Sequence, residues 1–346
     1  MSASPVPPLL HAIRQLATGA SLSGAESQAA FEAVMSGEAS AAQLSALLVG
    51  LRVKGETAEE VAGAAAALRG AMVRLAADRP EELVDTCGTG GGAVGTFNIS
   101  TAAALLAAGA GVRIAKHGNR SFTSQCGSAD VLEALGVPVE VAVPVMERAL
   151  RDAGIVFMFA PLMHPAMRHV GPVRREVGIS TVMNIVGPLA NPAGAGRQVV
   201  GVADARRVPL IAGALRALGT AHALVVHGDG MDEISPLGVS HVVEIRDGSV
   251  SEWEIDPTHF GFGSGLVEEL SGGPPAKNAA AVTAVLDGSA PPTASTAVLL
   301  NAAAAHYVSV DAGAEFGDSL DAVRAALDNG AGLRALYRLR GAYVPH

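Results

Sequence analysis

Near the amino terminus, apolar positions recur at helical spacing. Leu44, Leu47, Leu48 and Leu51 fall on one stripe and Phe31, Val34 and Met35 on another, the repeat of helices that each need a packing partner. A hydroxyl residue stands three places before a Glu or Gln at Ser23 and Glu26, Ser40 and Gln43, and Thr57 and Glu60, the arrangement of a capping box. Gly37 and Gly55 supply stops. Residues 1–75 therefore predict a small all-helical domain that offers a dimerisation surface. From Leu83 the texture changes. Short apolar runs at 112–115, 155–159, 199–202 and 224–226 predict buried strands, separated by helical patterns at 131–135 and 145–151. This alternation predicts a larger α/β domain, 76–346, on a mainly parallel central sheet. Asp247-Gly248 between the alternating runs of 242–255 predicts a hairpin.

Composition narrows the picture. The 346 residues are 49% hydrophobic but only 3% aromatic, a chain long enough for one large or two ordinary domains. The formal net charge is -9 and no block of Lys or Arg occurs, which argues against nucleic acid as the main partner. Cys87 and Cys126 make no disulfide framework and no signal-like segment opens the chain, so a cytoplasmic protein is expected. Glycines interrupt the longest uncharged stretch, 86–112, so no membrane span is expected.

Four segments carry candidate chemistry. The first runs from Asp85 to Thr101. Its glycines 88, 90, 91 and 92 allow close backbone approach, and Asn98, Ser100 and Thr101 sit where a helix begins, a setting for phosphate; a plain glycine turn is the other reading. No GxxxxGK[ST] is present, and a dinucleotide reading lacks its ribose carboxylate, with Arg113 and Lys116 in that region. The second, 115–130, gathers Lys116 and Arg120 among hydroxyl and amide groups, and Ser128 stands where it would cap the next helix; it suits several phosphate oxygens or forms a solvated loop. In the third, Asp232 and Glu233 follow an apolar strand and either hold Mg²⁺ through water or form a solvated acidic turn. The fourth runs from His164 to Ala193. His164 and His169 lack a zinc pattern, whereas Arg174, with a rigid Gly187-Pro188 turn, either forks a substrate carboxylate or forms a surface ion pair.

Taken together, CGTGG, FNIST, AKHGNR, GSADVLEALG, HPAMRHVGPVRRE, GPLANPA and GMDEIS, in this order over nearly the whole chain, resemble the anthranilate phosphoribosyltransferases. The resemblance implies a nucleoside phosphorylase/phosphoribosyltransferase-like fold, with a segment near 165–193 returning to the helical domain and the active site at the hinge. It implies a homodimer, and transfer of phosphoribose from 5-phospho-α-D-ribose 1-diphosphate to the amine of anthranilate, with Mg²⁺ present, in tryptophan biosynthesis. On that mapping Gly88, Gly91, Gly92, Thr96, Asn98, Ile99, Ser100, Thr101, Lys116, His117, Gly118, Asn119, Arg120, Ser124 and Ser128 bind the sugar donor. Gly88, His117, Asn119, His164, Arg174 and Gly187 contact anthranilate, and Ser100, Asp232 and Glu233 hold the metal. Lys116, Asn119 and Arg174 are the expected catalytic set.

The chain departs from the family in places. Gly92 replaces the Asp that ends GTGGD, removing a carboxylate near the pyrophosphate; Met163 stands for a His, Ser180 for an Arg and Gln125 for a basic residue. Two other activities remain as alternatives: a pyrimidine nucleoside phosphorylase-like enzyme, and a non-catalytic relative that binds nucleic acid. The chemistry itself asks for little acid–base help, because an aromatic amine is neutral at pH 7; positioning and charge stabilisation carry the rate.

Overall fold

A computed structural model describes residues 6–121, 125–310 and 312–343. Four helices come first, α1 (Pro8–Ala17), α2 (Gly24–Met35), α3 (Ala41–Lys54) and α4 (Ala58–Gly70). All three expected capping boxes form: the hydroxyls of Ser23, Ser40 and Thr57 accept from the backbone N–H of Glu26, Gln43 and Glu60, whose side chains reach back to the cap N–H. Each such cap stabilises a helix by about 1 kcal/mol. The leucine stripe of α3 is buried, as are Phe31, Val34 and Met35 of α2.

Beyond them lie strands β1 (Val84–Gly88), β2 (Ile114–Gly118), β3 (Ile155–Phe159), β4 (Arg197–Gly201), β5 (His222–Gly228), β6 (Ser240–Arg246) and β7 (Ser249–Ile255). Between and after them come helices α5 (Ile99–Gly109), α6 (Ser128–Ala134), α7 (Val143–Ala153), α8 (Ala160–Met163), α9 (Gly171–Val177), α10 (Val208–Ala217), α11 (Pro275–Leu286), α12 (Pro292–Ser309), α13 (Phe316–Asp328) and α14 (Ala331–Tyr343). Two compact units result. One comprises Met1–Val73, Pro161–Pro192 and Pro209–Gly219, the other Arg74–Ala160, Ala193–Val208 and Thr220–His346.

The helical unit thus has three pieces where the sequence led us to expect two. Val73 N–H donates to the Met163 carbonyl (2.8 Å) and ties in the returning segment. The third piece joins through a close small-residue contact: a Cβ on Gly213 would lie 2.8 Å from the Ala58 Cβ. Periodicity within one helix carries no trace of such a contact.

The α/β unit holds one seven-stranded sheet, ordered β3-β2-β1-β4-β5-β6-β7. Strands β1 to β5 run parallel and β6 and β7 antiparallel. The hairpin forms at Asp247-Gly248, both with positive φ (49° and 80°), the turn whose twist matches its strands. Strand β2 starts two residues later than the apolar pattern predicts and ends three later, because its pairing with β3 continues through Lys116↔Phe157, His117↔Met158 and Gly118↔Phe159. The apolar α5 packs against α12 and α14. At the edge strand β3 the Tyr343 hydroxyl accepts from Phe157 N–H (3.0 Å) and donates to the Phe157 carbonyl (2.6 Å), which closes that edge. No helix among the described residues is long and apolar enough to cross a membrane.

Candidate functional site

In the α/β unit, β2 and β4 flank β1 on opposite sides, so the chain reverses its direction of travel across the sheet at β1. The carboxyl ends of the strands at such a switch point are where open α/β sheets take ligands. Gly88 ends β1 and Gly201 ends β4. A Cβ at either would overlap Asp232, its carboxylate in the first case and its backbone carbonyl in the second. Two glycines on neighbouring strands therefore let the acidic segment lie directly across the strand ends.

That segment is tied to the glycine loop. Gly90 N–H donates to Asp232 Oδ2 (2.8 Å) and Ala93 N–H to the Gly230 carbonyl (2.9 Å). Burial and the adjacent Asp232 push the Glu233 carboxyl up to about 8, against the opposing pull of Lys116 and of the Ser100 N–H in the first turn of α5. Lys116 lies inside β2, buried, with its Nζ donating to the Thr86 carbonyl, Thr86 Oγ1 (3.3 Å) and Ser100 Oγ (3.3 Å). Burial lowers its affinity for the proton, while Asp85, Cys87, Glu233 and Asp232 raise it. Thr86, Cys87, Ser100, Glu233 and Asn301 share a small cavity of about 10 Å³. The two carboxylates, a hydroxyl and a lysine thus converge beside a loop of backbone amides, an arrangement that binds polyphosphate together with a hard cation.

In the helical unit, His164 is 5% exposed and hydrogen-bonded to the backbone of Ala190, and burial lowers its pKa to about 4. It is neutral at pH 7. Arg174 on α9 is half-buried and desolvated, which lowers its pKa. Its guanidinium has no hydrogen-bond or ion-pair partner among the described residues. Gly187 opens a short turn, Gly187–Leu189, held by Arg69, whose Nε donates to the Leu189 carbonyl (2.7 Å).

Residues 80–333 match the description "Glycosyl transferase family, a/b domain" and residues 10–72 "Glycosyl transferase family, helical bundle domain". The anthranilate phosphoribosyltransferase of Anaeromyxobacter dehalogenans is 48% identical over 329 residues, covering 95% of this chain and 97% of that protein. The chain belongs to the anthranilate phosphoribosyltransferase family. Its activity is that of the family, in tryptophan biosynthesis. The crystal structure of the Thermus thermophilus enzyme superposes with a TM-score of 0.90 at 40% identity, covering 96% of this chain and 99% of that one. The Saccharomyces cerevisiae enzyme in complex with PRPP and Mg superposes at 0.87 with 26% identity, covering 97% of each chain. That yeast enzyme has also been solved in complex with 4-fluoroanthranilate.

Within this family member, most residues expected to bind the donor stand near the strand ends, in differing roles. Gly88 ends β1, Gly91 and Gly92 lie on the loop after it, Ser100 in the first turn of α5 and Lys116 in β2. A Cβ on Gly92 would sit 3.4 Å from Asp232 Oδ1, so the carboxylate missing at this position would have joined the acidic pair. Ile99 and Thr101 are buried, and the Thr101 hydroxyl finds no partner among the described residues. Thr96 bridges to Ser271. Asn98 is held at both ends of its carboxamide, donating to the Cys126 carbonyl (3.2 Å) and accepting from Asn278 Nδ2 (2.9 Å). Backbone N–H of His117 donates to Asp85 Oδ1 (3.1 Å). Gly118 closes β2, and Asn119 Oδ1 accepts from Arg120 N–H (2.7 Å).

Two expectations need correction. Arg120 does not offer itself to phosphate: its guanidinium pairs with Glu133 (2.9 Å), Asp130 (3.1 Å) and Glu140 (3.3 Å) and lies over the Phe159 ring. The three carboxylates come from α6 and the segment after it, a convergence that the loop sequence alone does not reveal. Ser128 does not cap α6. Gly127 occupies the cap position, its N–H donating to Asp130 Oδ2 (2.8 Å), while the Ser128 hydroxyl donates to the Asn119 carbonyl (3.3 Å) and braces the loop. Ser124 lies outside the described residues. Sequence reading missed Arg69, Gly201, Asn278 and Asn301, each of which holds a site segment distant along the chain.

Proposed function

We propose that 5-phospho-α-D-ribose 1-diphosphate binds across the carboxyl ends of β1, β2, β4 and β5 and that Arg174 takes the anthranilate carboxylate. The observation that carries this reading is the convergence of the glycine loop, the first turn of α5, Lys116 and the Asp232–Glu233 pair at one switch point. The donor set fits Mg²⁺: burial first, and then the adjacent Asp232, raise Glu233 to about 8, a penalty on two ionised carboxylates that a divalent cation on oxygen ligands relieves. Asp232, Glu233 and Ser100 would hold the ion, which when bound supplies positive charge to the leaving pyrophosphate.

The chain's own groups do the rest. Loop amides and the α5 amino end donate to phosphate oxygens, and Lys116 adds its charge from below the loop. Arg174 orients anthranilate so that the amine lone pair attacks the anomeric carbon as the bond to pyrophosphate breaks, and the secondary ammonium so formed gives its proton to solvent or to the departing pyrophosphate. His164, neutral at pH 7, leaves Arg174 as the cation for the carboxylate. We further propose that the protein works in the cytoplasm as a homodimer.

Loss of anthranilate fluorescence on mixing with the sugar diphosphate, titrated with Mg²⁺, tests this. Decay that requires both, and that Lys116→Met and Glu233→Gln suppress, is expected. Undiminished turnover in both variants would remove the site from the strand ends.

A further inference from the structure

The acidic pair sits in a short segment after β5 that a Gly228–Met231 bridge holds on its amino-terminal side; beyond the pair, the anchor comes from elsewhere in the fold. Asn301 does so from α12. It is 3% exposed. Its Oδ1 accepts from Ile234 N–H (3.0 Å) and its Nδ2 donates to the Ile234 carbonyl (2.9 Å), so that one carboxamide takes both polar backbone groups of the residue next to Glu233. The same Nδ2 also donates to the Ala297 carbonyl one turn back (2.9 Å), which fixes the carboxamide plane. A rigid helix inside the core thereby sets the backbone from which Asp232 and Glu233 project, and the close approach over Gly201 leaves that backbone little room to shift. Asn301 and Glu233 line the same cavity. The demand for such a clamp is physical: a cation takes oxygens from both carboxylates only if the two stay side by side, and unless the backbone is anchored they separate and no longer present oxygens to one cation.

We infer that Asn301 is a positioning residue for the divalent-cation and pyrophosphate site: it touches no substrate but holds the Asp232–Glu233 pair at ligand geometry. This rests on the proposed assignment of that pair to the metal. An aliphatic residue of similar size at 301 would satisfy packing yet leave the Ile234 N–H and carbonyl buried without partners, and the segment would move to recover them.

The test is Mn²⁺ binding, read by the electron paramagnetic resonance signal of free Mn²⁺, with and without 5-phospho-α-D-ribose 1-diphosphate, on the full chain. Asn301→Ala and the volume-keeping Asn301→Leu are compared with Val308→Ala, a buried position two turns further along α12. Thermal unfolding of each variant is recorded alongside. We expect at least a tenfold weaker Mn²⁺ affinity in whichever Asn301 variant folds, a matching rise in the KM for the sugar diphosphate, and an anthranilate KM within twofold of the parent. Val308→Ala is expected to lower the unfolding temperature while Mn²⁺ affinity stays unchanged. Parent-like Mn²⁺ affinity in a folded Asn301 variant overturns the inference, as does an equal loss in Val308→Ala. Asp232→Asn and Glu233→Gln separate the two claims: if these leave Mn²⁺ binding intact, it is the metal assignment that fails.

Discussion

Replacing Arg174 with Ala makes two measurable effects point in opposite directions. The guanidinium is desolvated and has no partner among the described residues, so within the free protein it contributes burial cost without a compensating ion pair. Truncation is therefore expected to leave the unfolding temperature unchanged or raise it. Toward substrate the sign reverses. A carboxylate gripped by two charge-assisted hydrogen bonds is worth about 3 kcal/mol, and each 1.4 kcal/mol is about tenfold. The KM for anthranilate should rise about two orders of magnitude, while the KM for the sugar diphosphate holds. The assay is the initial rate of fluorescence loss over a range of anthranilate concentrations, with thermal unfolding of the same preparation. A control uses an acceptor amine that lacks the ortho carboxylate: parent and variant should then be nearly equal, because the group Arg174 recognises is gone. An anthranilate KM within twofold of the parent, or an equal penalty on the carboxylate-free amine, would refute the assignment.

Two further outcomes follow from the geometry. His164 is held near pKa 4 by burial against about 6.5 in the unfolded chain, so its contribution to stability is complete above pH 6.5 and lost as pH falls toward 4. The urea-unfolding free energy of the parent minus that of His164→Gln should drop by about 2 kcal/mol from pH 7 to pH 5; a constant difference would show that the ring is not desolvated. Tyr343→Phe removes the hydroxyl that serves both backbone groups of Phe157 and should destabilise the protein by about 2 kcal/mol. Urea unfolding checks this, and the KM values for both substrates should remain those of the parent.

Much of the fold was legible locally. The capping boxes at Ser23, Ser40 and Thr57, the Asp247-Gly248 hairpin and the apolar run of β3 each depend on residues a few positions apart, and all formed where the pattern put them. The family resemblance likewise rested on contiguous motifs, since the glycine loop and the acidic pair are each short runs. Where a feature depended on distant pairing, local pattern went astray. Lys116 was expected in a loop and lies in a strand, because β3 extends the pairing past the apolar stretch. Arg120 had the charge for phosphate, but three carboxylates within about a turn or two of α6 claim it.

Sequence alone determined which segments become helix, hairpin or glycine loop, because capping, turn chemistry and hydrophobic period act between near neighbours. Tertiary structure alone decided who holds the site. Gly201 matters only because Asp232 crosses it, Arg69 because Leu189 returns beside it, and Asn301 because Ile234 lies under its carboxamide. These partners lie 31, 120 and 67 residues apart and carry no local signature, for a buried hydrogen bond or a close backbone contact is specified by three-dimensional proximity rather than by spacing along the chain.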